Sequence, residues 1–347
     1  MNINTKNIRN IIRAVIFMSL FVLIFIFLSK VFTVSGNSSE DGMESRISNA
    51  YRGEDRNSLD VIFIGNSDMY RGISPVDMYH VKGITSAVSG RPNNSLQEIS
   101  NDIDDILKYQ KPKLLVLETD CMFSGKNPHF RNSKTKHTSL FKKIKDSVDN
   151  GDSAIISAIN YYFPLIKYHD RWKKLSLSAF IHHSRNFYKF HNKGMAYSDK
   201  IKPYISQQDY MCSSKTKTAR ISSDNKKIFK DIYDKCKNNN IQLILMTVPS
   251  ANTWNISKSQ ATQKLADQYG LRYYDYNLTY PQDFDWKLHT KDGGNHLNYA
   301  GAVTVTNDFG RKLKEEINLP ESDITKKQKD KWKKDYEAFH KKISDRK

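Results

Sequence analysis

The sequence predicts an α/β protein, with three α/β/α layers around a central, mainly parallel sheet of about five strands. A single helix long enough to cross a membrane should stand before it. Three observations carry this. Short apolar runs at residues 61–64, 113–120 and 241–250 each stop at a turn signal, as buried parallel strands do. Helix-period segments separate them. Residues 14–28 read AVIFMSLFVLIFIFL without a charge.

Taken in order, Lys6, Arg9 and Arg13 precede that apolar stretch. From Ile11 to Val34 it has the roughly 20 residues a bilayer crossing needs. The flanking positive charges predict a cytoplasmic N-terminus with the rest of the chain outside, single-pass in the cell membrane. A cleaved signal peptide ending near Val34-Ser35-Gly36 is the competing reading. Residues 1–34 are thus assigned to the anchor, and the polar residues 35–57 to a linker. The formal charge of +18 calls for an anionic partner. Export makes nucleic acid a poor choice and favours an anionic cell-surface polymer or lipid face.

The first strand, VIFI, ends in Gly65-Asn66-Ser67-Asp68. Residues at the carboxyl end of such a strand face the ligand crevice of an open α/β sheet. Ser67 therefore sits where a nucleophile would be useful, although the tetrapeptide also reads as a capped strand-to-helix turn. Pro75 suits the first turn of a short helix. Residues 84–90, ITSAVSG, form the second strand and end in another Ser-Gly turn. Ser95 and Glu98 then make a capping box for a helix with apolar residues at 96, 99, 103, 106 and 107. Pro112 stops it before the third strand, KLLVLETD.

From 121 to 224 the alternation is lost, and the segment is basic and aromatic, with Tyr161, Tyr162, Phe163, Trp172 and Phe187 among its members. So long a stretch without structure is improbable in a compact domain, so a helical insertion or lid is expected. Among its histidines, His182, His183 and His191 match no metal motif and read as surface or partly packed side chains. The rhythm resumes with an amphipathic helix at 225–240, the strand IQLILMTVPS, a helix over 257–269 and a fifth strand, LRYYDYN. KDGGNHLNYAGAVTVTNDFG leads into the last helix of the domain, from Tyr299. Residues 58–315 thus form the domain. The lysine-rich residues 316–347 read as a basic tail, a solvated helix whose charges could reach phosphate groups.

Ser67, Asp292 and His296 are the residue types that nucleophilic acyl chemistry requires. A hydroxyl needs a base to take its proton, and the base needs an acid to fix its tautomer. The Gly-Asn-Ser block after the first strand, the Ser-Gly turn after the second and the Asp/His block before the last helix resemble the SGNH (GDSL-like) hydrolase superfamily. KYQKPKLLVLETD and GNHLNYAGA look like its membrane-anchored, exported branch, which includes the D-alanyl transfer protein of teichoic acid modification and the alginate O-acetylation proteins.

The resemblance implies Ser67 as nucleophile, His296 as base and Asp292 as its orienting acid, with the backbone N–H groups of Ser67 and Gly90 in the oxyanion hole. It implies an acyltransferase or esterase acting on a cell-surface glycan or teichoic acid, through an acyl-serine, with a polytopic membrane acyltransferase as partner. No cofactor or metal is called for. Two departures stand out. Three residues separate Asp292 from His296 where the family has two, which leaves Asp283 and Asp285 as alternative acids. Glu118-Thr119-Asp120 stands where the family places an oxyanion Asn, with Asn93 and Asn94 nearby in sequence. These departures favour an alternative, a non-catalytic scaffold of the same fold that binds an anionic polymer or a membrane partner.

Overall fold

The computed structural model describes residues 5–32, 49–123, 172, 190–206, 209–212 and 218–345. The chain divides into two compact units. One holds Met1–Ser38 with Lys134–Phe187, and the other Ser39–Ser133 with Tyr188–Lys347. In the first unit, α1 (Thr5–Phe32) contains a segment, Asn7–Ser29, long and apolar enough to cross a membrane. Its apolar side chains are exposed all round, Ile11, Phe17 and Leu23 among them, as expected of a helix whose solvent is lipid. Most of the expected insertion, including His182 and His183, and residues 35–48 of the expected linker lie outside the described residues.

The second unit is built on five parallel strands: β1 (Val61–Gly65), β2 (Ser86–Gly90), β3 (Leu114–Glu118), β4 (Gln242–Thr247) and β5 (Tyr273–Asp275). Their order is β2-β1-β3-β4-β5, which places β1 beside both β2 and β3. The helices in chain order are α2 (Ser67–Gly72), α3 (Pro75–Lys82), α4 (Leu96–Ile106), α5 (Ser223–Asn238), α6 (Ile256–Tyr269), α7 (Tyr299–Glu315) and α8 (Lys326–Ser344). The expected three-layer α/β/α class is the class observed.

Pleating sends successive side chains of a strand to opposite faces. Ile62, Ile64, Leu115 and Leu117 enter one core with Ile99 and Ile103 of α4 and Phe229 and Ile232 of α5. Val61, Phe63, Leu114 and Val116 enter the other with Val305 and Phe309 of α7. Both faces are covered, so the central strands carry apolar residues in succession rather than at alternate positions. The local signals act as read: Pro75 opens α3, and the Ser95/Glu98 box caps α4 with both reciprocal bonds made.

Two segments are more deeply integrated than their polarity suggests. In the expected linker, Ala50–Gly53 forms a 3-10 turn that buries Tyr51, whose hydroxyl donates to Asp105. The expected solvated tail does form a helix, α8, and its lysines are solvated. Its other face, however, buries Trp332, Asp335, Phe339 and Ile343.

Between these two segments stands Lys193, which is fully buried. Its ammonium contacts Glu54 at 2.7 Å and Asp335, with the Trp332 ring centroid 4.6 Å away. His191, expected to be a surface or partly packed side chain, is half-exposed and bonds the same Asp335 through Nδ1 at 2.6 Å. One cation within the span read as an insertion thus ties residues 190–206 to both the N-terminal turn and the C-terminal helix. Removing one partner of a buried ion pair is costly because the remaining charge loses its compensation. Lys193→Met should therefore lower unfolding stability in detergent by about 3–5 kcal/mol, as read from the denaturant midpoint. An unchanged midpoint would show that the cluster contributes nothing net.

Candidate active site

At the carboxyl edge of the sheet, Gly65 of β1 lies in register with Gly90 of β2. A side chain at 65 would collide with the Cβ of Glu118 on β3, so only glycine fits there. The chain then turns at Asn66, whose side-chain oxygen accepts from the N–H of Asp68 and caps α2. The capped turn and the half-buried serine are the same structure, because the cap sets the first helical residue, Ser67, at the sheet edge.

Ser67 Oγ lies 2.8 Å from His296 Nε2, and His296 Nδ1 lies 2.6 Å from Asp292 Oδ2. The three side chains singled out in the sequence are hydrogen-bonded in series. The unusual spacing has a local reason. Asp292 Oδ1 accepts from the N–H groups of Asn295 and His296 at 3.2 and 2.8 Å, while Oδ2 meets the imidazole. Three intervening residues allow the carboxylate to close its own turn before the ring returns to it. Gly293 and Gly294, at φ 81° and 102°, supply the left-handed backbone this requires. Of the alternative acids, Asp285 is engaged with His289, whose Nδ1 accepts the Asp285 N–H, and Asp283 is exposed.

The loop is held from several sides. Thr290 and Leu297 form an antiparallel bridge at its base. Ser250 Oγ donates to Asn295 O at 2.8 Å, and the Gly293 N–H donates to Lys202 O. The Tyr204 ring covers Gly294 so closely that a Cβ there would lie 2.5 Å from Tyr204 Cδ2.

Burial pushes the His296 imidazole below its ordinary value, against the upward pull of Asp292 through their bond and its charge, and the Arg71 and Lys291 charges add to the lowering. Burial pushes Asp292 up, but the hydrogen bonds from the His296 ring and backbone hold its carboxyl below the ordinary range. The pair therefore favours a neutral imidazole beside an ionised carboxylate, the states a base and its orienting acid require.

Sequence reasoning did not single out Asp68. Its carboxyl is buried 4.0 Å from His296 Nε2. Burial and the neighbouring Asp120 push it well up, against the pull of Lys258. Glu118 is raised in the same way by burial, Asp120 and Asp68, and its Oε2 has no partner among the described residues. Asp120 bonds Lys258 at 2.7 Å and accepts from Asn66 Nδ2 at 3.4 Å. This cluster stands where an oxyanion Asn was sought. Asn94 does not fill that role, since its amide nitrogen donates to Gly65 O at 3.1 Å. The sequence signal for the cluster was the acidic Glu118-Thr119-Asp120 closing a strand otherwise wholly apolar.

No protein-family model and no curated protein matches this chain. Solved structures similar to it include an acetyl xylan esterase (16% identity, TM-score 0.35, covering 73% of this chain and 98% of that one). A family 3 carbohydrate esterase of Clostridium thermocellum (10%, 0.34, 75% and 97%) is also similar. So is a GDSL-like lipase of Bacteroides thetaiotaomicron (11%, 0.34, 75% and 88%). Likeness of that degree carries no conclusion about this chain; the site geometry has to.

Two outcomes follow from that geometry. Gly294→Ala would press a Cβ into Tyr204 at a backbone angle that suits only glycine. Displacing a catalytic group by about 1 Å costs about 10²-fold. Labelling of Ser67 by a fluorophosphonate should slow by about that factor while circular dichroism is unchanged; an unaltered rate would show that the loop tolerates the shift. The labelling rate should also follow neutral His296, falling as pH drops through a midpoint below the usual imidazole value of about 6.5. Arg71→Gln, which removes one of the lowering charges, should move that midpoint upward. A midpoint above 6.5 in the unaltered protein would contradict this assignment.

Proposed function

We propose that the protein is a membrane-anchored, serine-dependent acyltransferase or esterase that modifies a cell-surface glycan through an acyl-Ser67 intermediate. The observation that carries this reading is the Asp292–His296–Ser67 hydrogen-bonded series at the carboxyl edge of a parallel sheet. In the first half-reaction Ser67 Oγ attacks the acyl carbonyl as His296 Nε2 takes its proton. The resulting oxyanion is met by the backbone N–H groups of Ser67 and Gly90. The intermediate collapses when the bond to the leaving alcohol breaks and His296 returns the proton to that oxygen. In the second half-reaction His296 deprotonates the acceptor, either a glycan hydroxyl or water, which attacks the acyl-serine. The C–O bond to Ser67 breaks, and the proton passes back to Oγ. Asp292 keeps the Nδ1 proton in place and stabilises the imidazolium in both halves.

The anchor reading rests on α1 and on Lys6, Arg9 and Arg13 before its apolar core. It implies a cytoplasmic N-terminus and an extracytoplasmic site. O-acetylation and D-alanylation are the chemistries implied by the resemblance of KYQKPKLLVLETD and GNHLNYAGA to the membrane-anchored, exported branch. A polytopic membrane acyltransferase passing the acyl group across the bilayer is implied on the same ground. A second reading, a non-catalytic scaffold, draws on one observation: Glu118 and Asp120 occupy the place of a third oxyanion donor.

The two readings part on labelling and on surface acylation. The intact protein should react with a fluorophosphonate, and Ser67→Ala should abolish the adduct. Asp292→Asn should cut the labelling rate by about 10³–10⁴-fold, because the wrong imidazole tautomer then faces Ser67. If cells carrying Ser67→Ala and His296→Ala keep their surface acylation unchanged, the scaffold reading stands instead.

A further inference from the structure

Outside α1, seven large apolar side chains are exposed among the described residues: Val81, Trp172, Ile201, Ile205, Leu278, Tyr280 and Leu288. The last five fall on two segments, 201–205 and 278–288. These segments run side by side, with the Lys202 N–H donating to Thr290 O at 2.9 Å and the Tyr204 N–H to Trp286 O at 3.0 Å. An aromatic cluster supports them: Trp286 lies within 5.1–6.1 Å, centroid to centroid, of Tyr204, Tyr210, Tyr280 and Phe284. Tyr210 and Tyr280 also share a hydroxyl contact at 2.8 Å. The platform is internally braced, yet it leaves Ile205 80% exposed and Ile201, Leu278 and Leu288 more than half exposed. Concentrations of exposed apolar side chains of this kind mark interaction surfaces.

The chemistry of the surface narrows its occupant. Its exposed Lys200, Lys202 and Lys287 are balanced by exposed Asp199, Asp283 and Asp285, so the net charge of the whole chain is not focused here. An anionic polymer would find little attraction at this place. The protruding side chains are mainly branched aliphatics, which offer no flat face to a sugar ring. Aliphatics standing among tyrosines and a tryptophan, with lysines at the margin, suit the interfacial layer of a bilayer. The same chain carries a helix of bilayer-crossing length. Only residues 33–48 separate that helix from the first described residue of the second unit, and 16 residues span at most about 55 Å when fully extended.

We propose that the surface formed by residues 201–205 and 278–288 docks on the lipid surface of the membrane that α1 enters, its apolar side chains entering the headgroup layer. This rests on the membrane-anchored reading of the proposed function, but not on its chemistry. The Gly293 N–H bonds Lys202 O, and the Tyr204 ring lies over Gly294, so the docking surface and the Asp292–His296 loop are one piece. Docking sets His296 and Ser67 beside the headgroups, where the site would meet an acyl donor or acceptor carried by the membrane.

The test uses the full chain with Cys212→Ser, which removes the exposed thiol. It is reconstituted in vesicles of equal parts phosphatidylcholine and phosphatidylglycerol. An environment-sensitive fluorophore is placed at Ile205→Cys, at Leu288→Cys or at Lys237→Cys, the last exposed at the opposite, amino edge of the sheet. Brominated lipids should quench the probes at 205 and 288 at least about threefold more than the probe at 237, with blue-shifted emission. Equal quenching at all three sites would overturn the proposal. Blue shifts at 205 and 288 without lipid quenching would overturn it too, and would point to a protein occupant. Ser67→Ala should leave the quenching pattern intact while abolishing fluorophosphonate labelling, so that failure of the catalytic reading and failure of the docking are separately visible.

Discussion

The site depends on one carboxylate with two tasks. Asp292 folds its own loop with one oxygen, by taking two backbone N–H groups, and orients the His296 ring with the other. Protonating it or shortening it would loosen both at once. Around that point the loop draws on Thr290 and Leu297 at its base, Ser250 on one side, and Lys202 with Tyr204 on the other. The serine reaches the same point by an independent route, from a strand whose end is tightened by Gly65 and capped by Asn66. Two rigid supports that meet across a single 2.8 Å contact are the means by which a hydroxyl and a base are held in register before any substrate arrives.

Much of this was legible in the chain because it is written in local patterns. Residues 61–64 read as a doubly buried strand and are one. Ser95 and Glu98 announced the start of α4, and the turn at Gly65-Asn66-Ser67 was placed on the correct edge. What escaped reading has a common physical character: it depends on partners distant in sequence. The buried face of α8 was masked by lysines, which can extend along a helix while Trp332, Phe339 and Ile343 pack beneath them. Nothing near Lys193 in the sequence marks it as buried, and only the approach of Glu54 and Asp335 makes its burial tolerable. The spacing between Asp292 and His296 looked like a defect until the self-closing turn explained it.

The carboxyl groups behind Ser67 set the electrostatic character of the site. Asp68, Glu118 and Asp120 share their surroundings with a single ammonium, Lys258. Fully ionised, such a group would repel the negative charge that acyl transfer builds on the carbonyl oxygen. Burial relieves this by pushing Asp68 and Glu118 toward their neutral forms, which can also donate a hydrogen bond. In the proposed reaction the backbone donors of Ser67 and Gly90 would act beside a patch whose charge depends on its protons.

The Lys193 cluster also bears on the order in which the chain can be completed. Its partners stand 139 residues upstream and 142 residues downstream. During synthesis, Glu54 is present long before Lys193, and Asp335 arrives long after it. The compensated cluster, and with it the packing of Trp332 on the lysine stem, forms only when α8 has emerged. Until then the segment that carries Lys202 and Tyr204, a few residues downstream of Lys193, lacks its final anchorage, and so does the loop those residues brace. The Ser67–His296–Asp292 geometry is accordingly a late product of the chain, complete only when nearly all of it has been made.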